Sequence, residues 1–288
     1  MDRVLIGDNQ FFGINHMSEE KARAQAMRFQ DASAILEVLD AAYAEGIKTF
    51  MCTTHERIAE VCAHFRANRE RYPGYNFYPC MPYAHKYANA ATEHGVVGAI
   101  RSFLPEENAF AALLSGGISL ARKDIEGLAA LLIDAEMKMF AGLSTPVILL
   151  QNVATDFLLG LGFGEALRIF ADYVREHYQA EPGFITMNAP RLLATLEKLG
   201  VANPIICTNI NKIGFRMCGG TPAYEELMTR GDCRLIAMSV FASGALPARQ
   251  ALEYVCRFPQ IRSIVFGASS RAHIAQTRQL IDQLTPSG

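Results

Sequence analysis

The chain has 288 residues, and its 27 lysines and arginines nearly balance 29 aspartates and glutamates, which leaves a formal net charge of −2. A near-neutral chain gives no electrostatic reason to expect nucleic acid or an anionic membrane as a partner. Half of the residues are hydrophobic and 19% are charged, so the composition excludes a mainly disordered protein. No apolar run reaches the roughly 18 residues that a membrane-spanning helix needs.

The cysteines and the N-terminal residues indicate the cellular compartment. Seven cysteines, an odd number with no C-x-x-C pair, are typical of reduced thiols in a chain of this length. The first residues lack the basic, apolar and small-residue regions of a signal peptide. We therefore expect a cytoplasmic protein.

Short apolar runs alternate with helical patterns along the chain. The runs are almost continuously apolar, as expected for parallel strands that are covered by helices. Eight such alternations favour a (β/α)8 TIM barrel over a doubly wound sheet. The predicted strands cover residues 4–7, 49–52, 76–81, 147–152, 184–188, 205–209, 235–241 and 263–266. The predicted helices include residues 32–45, 164–178, 190–199, 221–229, 247–257 and 270–284.

Two segments with helical patterns exceed the minimum for such a barrel. They cover residues 18–30, after the first strand, and residues 106–142, between the third and fourth strands. Each could be a surface addition, a contact between copies of the chain in a homo-oligomer, or a lid over the C-terminal ends of the strands. Since no linker or repeat divides the chain, we predict a single domain over residues 1–288.

Two C-terminal segments carry a family pattern, LIAMSVFASG at residues 235–244 and SIVFGASSRAHIAQTRQLI at residues 263–281. They resemble strands 7 and 8 of the aldo-keto reductases. Further likeness extends over residues 5–13, 41–54, 183–200 and 204–211, which leaves out mainly the two insertions. The resemblance implies an aldo-keto reductase-like barrel and NADP(H) as the cofactor.

The same resemblance implies a catalytic set of Asp, Tyr, Lys and His, in which the Tyr hydroxyl protonates a carbonyl and the Lys lowers the pKa of the Tyr. In this sequence the family's Asp falls on Met51, its Lys near Cys80, and its His near Gln151 or Asn152. No tyrosine occurs in the following run TTHER. We therefore do not expect carbonyl reduction by the family's own catalytic set.

This sequence matches the family's cofactor-binding residues better than it matches the catalytic set. By the resemblance, Asn188 matches the Asn that holds the nicotinamide carboxamide, and Ser239 matches the Ser beside the ring-stacking position. At the start of the last helix, backbone N–H groups, two hydroxyls and a guanidinium form a predicted anion site that suits a phosphate. The ordinary alternative is a capping Ser beside a solvated Arg. The residues of this site are Gly267, Ala268, Ser269, Ser270 and Arg271.

Chemically active side chains follow several of the predicted strands, where barrel enzymes build their sites. His55 and His85 could supply acid–base groups near neutral pH. A zinc or iron site made of His16, His55 and His85 is the alternative, although their spacing matches no metal motif. Cys52 is either a nucleophile next to a base or a packed thiol. The candidate catalytic residues are Asp8, Cys52, His55, His85, Lys86 and Asn152.

Three functions follow from these patterns. The first is an aldo-keto reductase-like oxidoreductase that uses NADP(H) on a small polar metabolite, with His55 and Lys86 as replacement acid groups. The second is a lyase, isomerase or hydrolase, without a cofactor or with a metal, that holds its substrate in the anion site. The third is a non-catalytic binding protein, which the polar residues at the strand ends disfavour.

Overall fold

The computed structural model describes residues 1–13, 18–83 and 118–285, and in them eight parallel strands form a closed barrel. Each strand pairs with the next along the chain, and β8 returns to β1, with Val4 beside Ile264. This topology confirms the predicted (β/α)8 fold. The strands are β1 Val4–Gly7, β2 Thr49–Thr53, β3 Asn76–Met81, β4 Val147–Leu150, β5 Glu181–Thr186, β6 Ile205–Asn209, β7 Arg234–Met238 and β8 Ile261–Phe266.

Helices connect the strands and cover the outside of the barrel. Those described are α1 Glu19–Arg28, α2 Ala32–Ala44, α3 Glu56–Ala67, α4 Ile118–Met137, α5 Asn152–Gly160, α6 Glu165–Tyr178, α7 Ala189–Lys198, α8 Gly220–Thr229, α9 Ala248–Cys256 and α10 Arg271–Leu284. Short 3-10 turns occupy Asn9–Phe12, Arg69–Arg71, Lys138–Phe140 and Ala242–Gly244. α2 packs on both α3 and α10, which brings the first and last parts of the chain together.

Both faces of the strands are buried, which explains their continuous apolar runs. Leu5, Met51 and Ile185 belong to a cluster of alternate strand residues that fills the barrel. Their neighbours Ile6 and Phe50 belong to the larger cluster between the strands and the helices. Because apolar side chains fill the barrel itself, polar chemistry is confined to the loops at its ends.

Strand boundaries confirm the sequence prediction at β1, β3 and β6 and correct it elsewhere. β4 stops short of Asn152, which was predicted within the strand and instead begins α5. β5 stops short of Asn188, because that side chain caps α7. β7 ends at Met238, since Ser239 has a φ of 53°, which a strand cannot continue.

The two predicted insertions are described in part. α1 lies within residues 18–30, as predicted, and α4 occupies much of the C-terminal part of residues 106–142. Residues 14–17 and 84–117 lie outside the described part of the chain, and so does the predicted break between two helices of the second insertion. α5 is an additional helix that the sequence pattern did not predict. Among the described helices, none combines the length and the apolar character that a bilayer crossing requires.

Candidate active site

Asp8 follows β1 and is buried at the C-terminal end of the barrel. One carboxylate oxygen, Oδ2, accepts hydrogen bonds from both the backbone N–H and the hydroxyl of Thr53, each at 2.7 Å. Burial raises the pKa of the Asp8 carboxyl, and the two bonds from Thr53 oppose that rise. Asp8 is therefore a carboxyl group fixed beside the end of β2 in surroundings of low polarity.

The position of Asp8 bears on the carboxylate that the family resemblance places at Met51. The Met51 side chain lies among the residues that fill the barrel and carries no acid group. Asp8 follows the neighbouring strand, β1, and its carboxylate accepts hydrogen bonds from Thr53, two residues after Met51. The barrel thus has a carboxylate at the end of β2 that comes from β1.

His55 is the N-cap residue of α3. Its Nδ1 accepts a hydrogen bond from the backbone N–H of Arg57 at 3.0 Å, which assigns the ring proton to Nε2. Histidine is not among the usual N-cap residues, which are Ser, Thr, Asp and Asn. The ring is half-buried and packs on Phe12, with 4.4 Å between the two ring centroids. The cap therefore holds a neutral imidazole whose remaining ring nitrogen, Nε2, is a donor.

Tyr83, two residues after β3, contacts His55 and was not predicted from the sequence. The two ring centroids are 5.2 Å apart at an interplanar angle of 70°, an edge-to-face contact. Burial and the nearby Asp8 carboxylate raise the pKa of Tyr83, whereas the Arg57 guanidinium lowers it. The ends of the first three strands thus bring titratable groups together. We call Asp8, His55 and Tyr83 the β1–β3 cluster.

Cys52 is placed on the other face of β2, which corrects the nucleophile hypothesis. Its side chain is fully buried in the layer between the strands and the helices, not among the residues that fill the barrel. Burial raises the pKa of the Cys52 thiol well above its ordinary value, and the Cys62 thiol of α3 adds to the effect. A protonated thiol packed in this outer layer is not a nucleophile for the barrel end, so Cys52 is a core residue.

Among the other candidate residues for this site, Asn152 alone lies in the described part of the chain. His16, His85 and Lys86 lie outside the described residues, so their roles stay predictions. Asn152 is half-buried at the first position of α5, and its role stays a prediction as well. Within residues 1–13, 18–83 and 118–285, no group of three His, Cys, Asp or Glu side chains could hold a metal ion.

A hydrogen-bond network that the sequence did not reveal joins the ends of β5 and β6. Asp156 of α5 accepts from the Thr186 hydroxyl and from the Met187 N–H, the latter at 3.0 Å. Tyr224 of α8 is fully buried, and its hydroxyl donates to the Met187 carbonyl at 2.9 Å. The Thr208 hydroxyl donates to the Thr186 carbonyl at 2.9 Å. We call Asp156, Thr186, Thr208 and Tyr224 the β5–β6 network, and it fixes the backbone that leads into α7.

The two predicted nicotinamide contacts lie after β5 and β7. Oδ1 of Asn188 accepts a hydrogen bond from the Arg191 N–H at 3.3 Å and so caps α7. Ser239 begins a loop in which Ser239, Ala242 and Ser243 all have positive φ. Such backbone conformations cost free energy in non-glycine residues and are concentrated at functional sites. The cofactor contacts of Asn188 and Ser239 stay predictions.

The predicted anion site at the start of α10 shows features of both interpretations. Ser270 caps the helix by accepting from the His273 N–H at 3.4 Å, and Arg271 forms an exposed ion pair with Glu45 at 3.2 Å. These contacts match the alternative of a capping Ser and a solvated Arg. The backbone N–H groups of residues 267–270, however, donate to no other described residue, so they remain suited to an anion.

Gly267 lies against Gln10, and this contact tests whether a ligand fits the end of β8. A Cβ at position 267 would lie 2.3 Å from Gln10 Oε1, so any larger residue there would require the carboxamide to shift. Gln10 is 5% exposed, and its Nε2 donates to the Gly7 carbonyl at 2.7 Å. Its buried Oε1 has no hydrogen-bond partner among the described residues. A ligand hydroxyl would satisfy this acceptor and a phosphate would satisfy the N–H groups, so the residues fit a group such as NADP(H).

The comparisons with known proteins concern the fold. No protein-family model matches the sequence, and no curated protein is similar to it in sequence. An aldo/keto reductase from Brucella melitensis superposes with a TM-score of 0.51 at 10% identity, over 98% of this chain and 93% of that one. A Pseudomonas aeruginosa protein described as an aldo-keto reductase gives a TM-score of 0.60 at 13% identity, with 98% and 90% covered.

A third similar structure is an aldo-keto reductase from Bombyx mori in complex with NADP. It superposes with a TM-score of 0.53 at 12% identity, over 97% of this chain and 83% of that one. At such low identity the likeness extends to the fold alone, and it covers nearly the whole chain in each case. The chain therefore has the (β/α)8 barrel fold of the aldo-keto reductases.

Proposed function

We propose that the chain is an oxidoreductase that uses NADP(H) to interconvert a carbonyl and an alcohol group on a small polar metabolite. The observation that carries this proposal is the β1–β3 cluster, which gathers an imidazole, a phenol and a carboxyl at one end of the barrel. The fold supports it, because the barrel is that of the aldo-keto reductases. One structure of this fold is described in complex with NADP, which supports the choice of cofactor.

His55 has the geometry to bind the reacting oxygen. Because the Arg57 N–H occupies Nδ1, the imidazole is a neutral donor through Nε2–H. A hydrogen bond from Nε2 to a carbonyl oxygen would stabilise the negative charge that develops there as the carbonyl is reduced. When bound, NADP(H) supplies or accepts the hydride at the carbonyl carbon.

The residues that would hold NADP(H) lie after β1, β5 and β8. The N–H groups of residues 267–270 at the start of α10 suit a phosphate. Arg271 would exchange Glu45 for that phosphate at low cost, because exposed ion pairs are weak. Gln10 Oε1 would accept a hydroxyl hydrogen, and Asn188 would contact the carboxamide, as the family resemblance implies.

A titration of the purified protein with NADPH, followed by the shift of NADPH fluorescence, tests the cofactor. The chain has no tryptophan, so its own emission interferes little. We expect saturable binding that Arg271→Ala weakens about tenfold, the scale of a lost charge-assisted hydrogen bond. Arg278→Ala is the matched control, because Arg278 also lies on α10 but pairs with Asp282 one turn further along.

Each outcome of the titration distinguishes the functions considered. Binding that Arg271→Ala weakens and Arg278→Ala does not supports an NADP(H) site at the start of α10. Absence of saturable NADPH binding contradicts the proposed function. In that event, binding of inorganic phosphate that depends on Arg271 would favour the second function, with the anion site holding a phosphorylated substrate. Absence of both would favour a binding protein of another kind.

A further inference from the structure

Two charged side chains near the start of α10 lie at helix ends where their own charge is unfavourable. Arg271 is the first residue of α10, where the helix dipole repels a cation. Glu45 is the C-cap residue of α2, where the dipole of that helix repels an anion. The stability of its own helix therefore explains neither charge. The two side chains instead pair with each other, with 3.2 Å between Arg271 Nε and Glu45 Oε1.

The surroundings of this pair are suited to bind an anion from outside the chain. The N–H groups of residues 267–270 lead into α10 and donate to no other residue that the structure describes. Against Gly267 lies Gln10, a buried residue whose Oε1 has no hydrogen-bond partner in the described part of the chain. A buried acceptor of this kind points to a ligand with a hydroxyl group. The Glu45 carboxylate is thus an anion of the chain itself at the edge of an anion site.

Glu45 is held more firmly than Arg271. The Glu45 side chain is 26% exposed, whereas the Arg271 side chain is 71% exposed. Glu45 lies in a groove of about 670 Å³ between α2 and α10. The other residues that line this groove belong to α10 and are Ala275, Arg278, Gln279, Asp282 and Gln283. Because Arg271 is the more exposed partner, its guanidinium can turn towards a ligand while Glu45 stays in the groove.

We propose that Glu45 is an internal competitor for the anion site and so limits the affinity of the protein for NADP(H). In the free protein Glu45 pairs with Arg271, and a phosphate has to take over that guanidinium when it binds. The inference rests on the proposed function for the identity of the ligand. The competition itself applies to any phosphate that binds at the start of α10.

The size of the competition follows from the exposure of the pair. Ion pairs in contact with solvent contribute little, since water and salt screen them. Glu45 is partly buried, which places this pair at the upper end of that range, equivalent to about fivefold in an equilibrium constant. The competition also favours release of the cofactor, because Glu45 pairs with Arg271 again once the phosphate leaves.

The variant Glu45→Gln tests the proposal, since it removes the charge and keeps the size of the side chain. We expect the Kd for NADPH, from the fluorescence titration, to fall about fivefold. Asp282→Asn is the matched control, because Asp282 lines the same groove but pairs with Arg278, and its Kd should change by less than about twofold. The direction of the change is informative, because damage to the packing of α2 on α10 would weaken binding and not strengthen it.

A double-mutant cycle shows whether Glu45 acts through Arg271. In the Arg271→Ala protein, Glu45→Gln should change the Kd for NADPH by less than about twofold, because no guanidinium remains to compete for. Unchanged or weaker NADPH binding by Glu45→Gln alone overturns the proposal. A fivefold gain that persists without Arg271 overturns it as well.

Failure of the proposed function gives a different result. If the unchanged protein shows no saturable NADPH binding, the same variants are titrated with inorganic pyrophosphate by isothermal titration calorimetry. Tighter pyrophosphate binding by Glu45→Gln than by the unchanged protein would support the competition for a phosphate ligand other than NADP(H). Equal binding by the two proteins, or no binding by either, would overturn it.

Discussion

The two sides of the barrel end differ in how their polar groups are held. In the β5–β6 network the contacts are hydrogen bonds that join side chains to backbone, such as Asp156 to the Met187 N–H and Tyr224 to the Met187 carbonyl. In the β1–β3 cluster, His55 and Tyr83 meet through an edge-to-face contact of their rings. The β5–β6 network fixes the backbone that leads into α7, whereas the β1–β3 cluster brings side chains that carry protons close together. In the proposed function, the β1–β3 cluster would take part in the proton chemistry, whereas the β5–β6 network would support the backbone before α7.

The β1–β3 side is tested most strongly by His55→Asn. Asparagine is a good N-cap, so α3 keeps its first hydrogen bond while the Nε2–H donor is lost. We expect kcat/KM for aldehyde reduction to fall about 100-fold. The free energy of urea unfolding should fall by only about 1 kcal/mol, the scale of the lost ring contacts with Phe12 and Tyr83. His177→Asn, on the outer face of α6, is the control. Full activity of His55→Asn would mean that the cluster is structural.

The β5–β6 side should respond in stability rather than in proton chemistry. Asp156→Ala leaves the Met187 N–H and the Thr186 hydroxyl without their acceptor. The free energy of unfolding should fall by about 2–3 kcal/mol, the scale of hydrogen bonds to a charged group. Asp172→Ala, which removes exposed ion pairs on α6, should change it by less than about 0.5 kcal/mol. Equal losses of unfolding free energy for the two variants, measured by urea unfolding, would show that the β5–β6 network stabilises the fold no more than exposed ion pairs do.

The contact between β1 and β8 can be tested by Gly267→Ala. The added Cβ would overlap Gln10 Oε1, so we expect a loss of about 1–3 kcal/mol in unfolding free energy. Gln10→Ala in the same chain should restore part of it, which a double-mutant cycle would detect as a coupling. Gly127→Ala in α4 is the control, because its Cβ would meet nothing within 4 Å. Additive effects of the Gly267 and Gln10 changes would show that the contact is absent.

The smallest expected effect concerns the charge of Asp8. Burial raises the pKa of this carboxyl in the folded chain, so its charge destabilises the fold at neutral pH and the penalty disappears as pH falls below the unfolded value of about 3.9. Asparagine can accept both bonds from Thr53 through one oxygen. Asp8→Asn should therefore be more stable at pH 7, by on the order of 1 kcal/mol, and equal to the unchanged protein near pH 3. If Asp8→Asn were stabilised more at pH 3 than at pH 7, relative to the unchanged protein, then burial would not raise the pKa of Asp8.

The sequence predicted the fold well because parallel strands covered on both faces are short apolar runs between polar loops. β3 and β6 match their predicted residues, whereas the runs predicted for β4 and β5 continued into Asn152 and Asn188. Those two residues begin or cap a helix, and their conformation depends on helices that pack there. The predicted strands were therefore too long at their C-terminal ends, because a polar residue that begins or caps the next helix was counted as part of the strand.

The sequence predicted only those residues of the candidate site that are recognisable from their own position directly after a strand. Asp8 and His55 were predicted from their places after β1 and β2. Tyr83 was missed because its importance lies in the distance to His55, and a sequence holds no distances between strands. Asp156 was missed because α5 itself was not predicted. Cys52 was placed beside His55 by sequence, but the alternation of a strand turns it to the other face.

Asp8 also has a consequence for how the barrel closes. β1 pairs with β2 through Ile6 and Phe50 and through Gly7 and Met51, and the bonds from Thr53 to the Asp8 carboxylate continue that pairing beyond the backbone. The Asp8 side chain thus makes the last hydrogen bonds between the β1 and β2 segments. Replacement of Asp8 by a smaller residue would weaken the pairing of β1 with β2 and would also remove the carboxyl group. Asp8 therefore has a structural role in the pairing of β1 with β2, in addition to its proposed place in the site.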